Sequence, residues 1–279
     1  MTLVSTRAIV DGARAAGTGA LAFNVIHLET AEALVEAAEI TGIPVILQIS
    51  KNCVDYHGSM LPLTRATLEI AAASRAELSV HLDHLTDPAA IREGVEAGVR
   101  SVMVDHSALP YEENVAATAE LTAWCHEREV YVEAELGKVG GKDGVHAPGV
   151  RTDPAEALAF IAATDVDALA VAVGSSHRMR ERTAVLDHEL IGTLSAKLPV
   201  PLVLHGSSGV SDDELTRAIA AGMTKINISS HLTRAFTRAI RATLEADPAL
   251  SDSRVCFRSG RTAVTEEAAR LLKLLGPLG

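Results

Sequence analysis

Histidines stand at the ends of three separate apolar, β-branched runs: His84, His177 and His205. Neutral imidazoles brought together from different strands suit a catalytic divalent metal with an open coordination position, zinc above all. One histidine alone at a strand end reads more simply as a polar cap. Three on strands that meet at one place read as a metal centre. Asp83 directly precedes His84. Successive side chains on a strand diverge, so the two should not share one ion, which frees Asp83 to act as a general acid/base beside it. Further along, His205-Gly206-Ser207-Ser208-Gly209 offers small residues, exposed backbone N–H groups and hydroxyls. Ser229 and Ser230 open a helix whose amides and dipole favour an anion. With Gly174-Ser175-Ser176 as a third such loop, these segments read as a phosphate cradle.

These residues need elements to hold them. The apolar runs are Ala20–Val25, Pro44–Ile49, Leu78–Leu82, Ser101–Val104, Val130–Leu136, Ala168–Val173, Pro201–Leu204 and Thr224–Ile228. Between them lie stretches at helical spacing, near Leu28–Thr41, Pro62–Ser74, Pro88–Ala97, Tyr111–Glu127, Pro154–Ala163, Asp187–Leu198, Ser211–Ala221 and His231–Ala246. Only the loop Gly137–Thr152 breaks the rhythm. Eight strand–helix units without a linker predict a single (β/α)8 TIM barrel, one domain over residues 1–279, with an additional C-terminal helix near Arg261–Leu275. A doubly wound open sheet is the rival, but the first strand runs into Asn24-Val25-Ile26-His27 and not into a GxGxxG turn.

In a barrel all strand ends open on one mouth. The polar punctuation fits that: Asn24, Ser50, Asp83-His84, Asp105-His106, Glu133 and Glu135, then Asn227 and the loops named above. The other histidines read more plainly. His57, His126, His188 and His231 fall in or beside helices as surface or packing residues, and His81 faces inward as a structural one.

Composition narrows the partners. Lys+Arg number 25 against 36 Asp+Glu, a net charge of −11, which argues against nucleic acid and anionic membranes but not against a small anion. Aromatics are only 3%, so the core must be aliphatic, as in a parallel sheet covered by helices. Cys53, Cys125 and Cys256 form no CxxC, and Met1–Gly12 holds no apolar leader; a cytoplasmic protein without disulfides is expected. No run approaches the roughly 18 apolar residues of a membrane span.

The segments His81-Leu82-Asp83-His84, Ser101-Val102-Met103-Val104-Asp105, Glu133-Ala134-Glu135-Leu136-Gly137, Leu204-His205-Gly206-Ser207-Ser208-Gly209 and Lys225-Ile226-Asn227-Ile228 together resemble the class II, zinc-dependent ketose-bisphosphate aldolases. The likeness runs in order from about Ser5 to the C-terminal helix. It implies a (β/α)8 aldolase that cleaves a phosphorylated ketose, fructose 1,6-bisphosphate first and tagatose 1,6-bisphosphate next, to dihydroxyacetone phosphate and an aldehyde. It implies one catalytic Zn2+ on His84, His177 and His205, with Asp105 and Glu135 close to the metal, and it allows a second divalent or a monovalent cation. By the same resemblance Asp83 handles the C4 hydroxyl, and Gly206, Ser208, Asn227, Ser229 and Ser230 hold the dihydroxyacetone phosphate portion, with Gly174 in the same cradle. The resemblance also implies a homodimer or homotetramer.

The chain departs from the family in places. Members carry a glutamate after the fifth strand that protonates the enediolate; here the stretch reads Gly140-Gly141-Lys142-Asp143-Gly144, so Asp143 is the candidate, with His146 as its rival. Arg178 follows His177 where members have a small residue, which adds a cation for a distal phosphate or acid group. Two other readings stand beside this one. Lys225, two residues before Asn227 on an inward face, could form an iminium in place of metal chemistry. A sugar-phosphate-binding barrel without turnover is the third, against which Asp83 and the three histidines speak.

Overall fold

The computed structural model describes residues 3–136, 151–175 and 181–277. In chain order the elements are α1 Thr6–Ala16, β1 Ala20–Asn24, α2 Leu28–Thr41, β2 Val45–Ser50, α3 Lys51–His57, α4 Leu61–Ala73, β3 Leu78–Leu85, α5 Pro88–Glu96, β4 Ser101–Val104 and α6 Tyr111–His126. There follow β5 Tyr131–Glu135, α7 Pro154–Thr164, β6 Ala168–Ala170, α8 His188–Lys197, β7 Leu202–Leu204, α9 Asp212–Ala220, β8 Met223–Ile228, α10 Ser230–Ala246 and α11 Ser253–Leu275. The strands pair in sequence order, all parallel, and β8 returns to β1 with Ala20 opposite Lys225 and Ala22 opposite Asn227. This is the expected (β/α)8 barrel with an additional C-terminal helix.

Strands buried on both faces explain the near-continuous apolar runs. Outward residues such as Leu21, Phe23, Leu47, Leu82 and Val132 pack under the helices in one large aliphatic cluster. Two helices depart from the sequence expectation. The first, α1, comes before any strand; Ser5 caps it by accepting from Ala8 N (3.1 Å), and its buried face of Ile9, Val10 and Ala13 packs with Ala20, Ala22 and Ile46. It therefore plugs the end of the barrel opposite the strand C-termini. The second, α3, follows β2 directly, capped by Ser50 Oγ, which accepts from Cys53 N at 3.4 Å. Strand β6 is shorter than its apolar run: Ala172 turns to Thr152 instead, whose N donates to Ala172 O and whose Oγ1 accepts from Ala172 N. Among the described residues no helix is long and apolar enough to cross a membrane.

Helix α5 lies close on β3 because Gly94 leaves room. A Cβ there would sit 2.2 Å from Leu82 Cδ1 and 3.3 Å from Met60 Cε, both side chains being buried. Gly94→Ala gains about 1 kcal/mol of helix propensity, but overpacking costs about 1–3 kcal/mol. The variant should lose stability, read as a lower urea midpoint; an unchanged or higher midpoint would mean that Leu82 swings aside freely.

Candidate active site at the strand C-termini

Strand β3 delivers two adjacent groups to one place. His84 has φ 55°, in the left-handed region, and the β3–β4 register shifts between Leu82 and Leu85. A non-glycine residue there costs about 1–2 kcal/mol. The inversion breaks the alternation of side chains, so Asp83 and His84 do not diverge. Donor atoms of Asp83, His84 and His205 all lie within 4.8 Å of one another. This corrects the expectation that neighbours on the strand could not serve one ion: the alternation rule requires extended backbone, and here the backbone is not extended.

A second group, His84, Asp105 and Glu135, meets the same distance criterion. His84 Nδ1 donates to Asp105 Oδ2 at 2.7 Å, and Asp105 Oδ1 accepts from Ser107 N and Oγ. The rings of His84 and His205 cross with centroids 4.6 Å apart. His205, at the end of β7, donates through Nε2 to Glu133 Oε1 (2.9 Å), and its Nδ1 lies 3.4 Å from Glu135 Oε2. Glu133 and Glu135 share the inward face of β5, and both are buried.

The electrostatics follow from this crowd of carboxylates. Burial would lower the pKa of His205, but hydrogen bonds to Glu133 and Glu135 and their charges outweigh it and push it up to about 10. Burial acts likewise on His84, and the charge of Asp83 with the Asp105 hydrogen bond raises it above the usual imidazole value. Burial works against a charged Glu133 too, yet Lys225 and His205 hold it well below the usual carboxylate range. His81 behaves oppositely: burial first, then the Lys225 charge, lowers it to about 3. Its Nδ1 bonds Ser101 Oγ at 2.7 Å, so it is the inward structural residue expected. His106 turns toward Thr118 of α6.

Imidazoles and carboxylates at this density fit a divalent cation: the donors are of the right type, and three carboxylates favour positive charge between them. His84 and His205 of the expected ligand set are thus brought together with Asp105 and Glu135. His177 lies outside the described residues, as do Arg178, Asp143 and His146.

The loops expected to hold an anion also converge. Gly206 (φ 69°) leads into a 3-10 turn at Ser207–Gly209. Ser207 Oγ donates to Asn227 O, and Ser208 Oγ accepts from His231 N at the start of α10. Arg234 Nη2 donates to Ser208 O at 3.2 Å, a cation beside the loop that the sequence reading did not single out. Ser229 precedes α10 without a side-chain cap bond, and Ser230 is exposed on its first turn. Gly174 has φ 119°, and a Cβ there would meet Val185 O at 2.5 Å, so only glycine fits. Ser175 Oγ donates to His205 O, which ties this loop to the metal-type cluster. At the first two strands, Asn24 Oδ1 accepts from Gln48 Nε2 (2.8 Å), and Ser50 serves as the α3 cap.

Glu133 has no role on sequence grounds alone, and Lys225 stands there only as a nucleophile. A signal existed for Glu133: two carboxylates at alternate positions of a fully buried strand need partners inside the barrel.

Compared with known proteins, residues 4–279 match the family profile described as Fructose-bisphosphate aldolase class-II. The YdjI aldolase from Escherichia coli K12 is 30% identical, over 99% of this chain and 98% of its own, with a TM-score of 0.88. A candidate fructose-1,6-biphosphate aldolase from Coccidioides immitis is 28% identical over 97% and 95%, with a TM-score of 0.85. The fructose-bisphosphate aldolase from Campylobacter jejuni shares the fold at 21% identity and a TM-score of 0.82, over 98% of this chain and 95% of its own.

Proposed function

This chain belongs to the class II fructose-bisphosphate aldolase family and is an aldolase, a lyase, and from that premise we propose that it cleaves a phosphorylated ketose reversibly to dihydroxyacetone phosphate and an aldehyde. Fructose 1,6-bisphosphate, which gives glyceraldehyde 3-phosphate, is the first candidate and tagatose 1,6-bisphosphate the second. The observation that carries the reading is the pair of overlapping donor groups, Asp83–His84–His205 and His84–Asp105–Glu135.

The family is in general metal-dependent. We assign a zinc ion to His84, His177 and His205, with Asp105 and Glu135 beside it. Bound there, it supplies Lewis acidity toward the ketone, which eases the negative charge that C–C cleavage leaves. Asp83 takes the C4 hydroxyl proton while the C3–C4 bond breaks; C4 becomes the aldehyde carbon and the electron pair stays with C3. Asn227 Nδ2 donates to Asp83 Oδ1 at 3.4 Å and orients it. C3 then needs a proton, which we assign to Asp143, with His146 as the rival. The loop Gly206–Gly209, Gly174, Asn227, Ser229 and Ser230 are assigned to the dihydroxyacetone phosphate portion, Asn24 and Ser50 to the substrate side of the first two strands, and Arg178 to its far end. A homodimer or homotetramer in the cytoplasm is expected on family grounds.

The Schiff-base reading fares less well. Lys225 is fully buried, its Nζ donating to Glu133 Oε2 (2.7 Å) and Asn227 Oδ1 (2.8 Å), so its nitrogen is an ion-paired donor and not an open nucleophile. A coupled assay over fructose and tagatose bisphosphates and ketose monophosphates, with and without chelator, tests the proposal. Chelator should abolish cleavage and added Zn2+ restore it, while borohydride with substrate leaves the enzyme active. Chelator-resistant cleavage that borohydride inactivates would overturn it.

A further inference from the structure

Beneath the site runs a continuous buried chain whose middle members, Glu133 and Lys225, have no role in the reaction above. His205 Nε2 meets Glu133 Oε1 at 2.9 Å, and Glu133 Oε2 meets Lys225 Nζ at 2.7 Å. Lys225 Nζ meets Asn227 Oδ1 at 2.8 Å, and Asn227 Nδ2 meets Asp83 Oδ1 at 3.4 Å. Each member is at most 8% exposed. The chain links a proposed metal ligand to the proposed acid/base through one lysine, drawing on β7, β5, β8 and β3.

We infer that Lys225 is a positioning residue that fixes, from below, both the tautomer of His205 and the amide orientation of Asn227. The inference rests on the reading of His205 as a metal ligand and Asp83 as the acid/base. An ammonium only donates and an ionised carboxylate only accepts. Lys225 therefore holds Glu133 Oε2 and leaves Oε1 turned to His205, where a carboxylate oxygen facing Nε2 calls for the proton on that nitrogen. A neutral His205 then has its lone pair on Nδ1, the atom on the Glu135 side of the site. On its other side the same ammonium admits only the oxygen of Asn227, which leaves the amide N–H2 to face Asp83. With an uncharged residue at this place Glu133 would lose its cationic partner, and the amide of Asn227 would be held only by its long 3.4 Å contact to Asp83. His81, whose Nε2 is 3.9 Å from Glu133 Oε2, does not substitute for the lysine, because burial and the Lys225 charge keep it from becoming a cation.

The test uses the zinc-loaded protein. Nitrogen-15 spectra of labelled histidine should show His205 protonated on Nε2 with Nδ1 perturbed by the metal. At saturating Zn2+, Lys225→Met should lower kcat about 10–100-fold with KM little changed. In an Asn227→Ala background the same substitution should cost less, because the amide orientation is already lost and only the His205 arm through Glu133 remains to be protected. If Lys225→Met alone does not fold, the Glu133→Gln/Lys225→Met pair leaves no unpaired buried charge and is compared with Glu133→Gln in the same way. Zinc bound with the His205 proton on Nδ1 overturns the inference, as does a Lys225→Met loss fully additive with Asn227→Ala. Failure of zinc to bind near-stoichiometrically strikes instead at the reading of the site on which the inference rests.

Discussion

His205→Ala should abolish stoichiometric zinc binding and aldol cleavage together. The imidazole sits where both inward carboxylates of β5 converge, and its ring lies against that of His84. Its removal takes away one donor of the Asp83–His84–His205 group and breaks the contact that orients Glu133. A Lewis acid contributes several kcal/mol to stabilising developing charge, so the loss in rate should be about 10³-fold or more. Metal content after dialysis and the coupled assay read the two effects separately, and circular dichroism checks that the barrel survives. Retained zinc with retained turnover would sink the metal assignment.

Asp83→Ala should separate the two functions that His205→Ala removes together. Zinc should stay bound, since His84, His205, Asp105 and Glu135 keep their positions, while kcat falls by about 10²–10⁴-fold, the range for a lost general acid/base. The structure makes this a sharper test than strand alternation implied, because Asp83 shares a donor group with His84 and His205. Loss of zinc in this variant would make Asp83 a ligand and leave the proton transfer without its agent. Unchanged kcat with zinc retained would remove it from the chemistry altogether.

The fold was legible because barrel strands are apolar on both faces and their polar residues cluster at one end. That pattern alone located Asp83, Asp105, Glu135, His205 and Asn227 at strand ends. Helix α1 was missed because it precedes the first strand, outside the strand–helix alternation, and packs against Ala20, Ala22 and Ile46 under the barrel. Helix α3 was missed because seven residues give too little periodicity to read. Lys225 was seen to face inward, but its partner Glu133 lies 92 residues earlier on β5, a pairing that only barrel closure creates. The convergence of Asp83 and His84 was misjudged for a different reason. Glycine is the clear mark of a left-handed residue; histidine is enriched there too, but so weakly that a histidine inside a strand reads first as part of the strand.

That inverted residue in β3 has a mechanical consequence. Groups supplied by different strands keep their spacing only as well as the strands keep their packing, and thermal breathing of a barrel moves one strand against the next. Asp83 and His84 are joined by a single peptide bond, so the spacing of their backbones is set by covalent geometry and the two dihedrals that flank that bond, with His84 at φ 55°. The group proposed to move the proton and a group proposed to hold the cation thus keep their spacing better than any pair drawn from two strands.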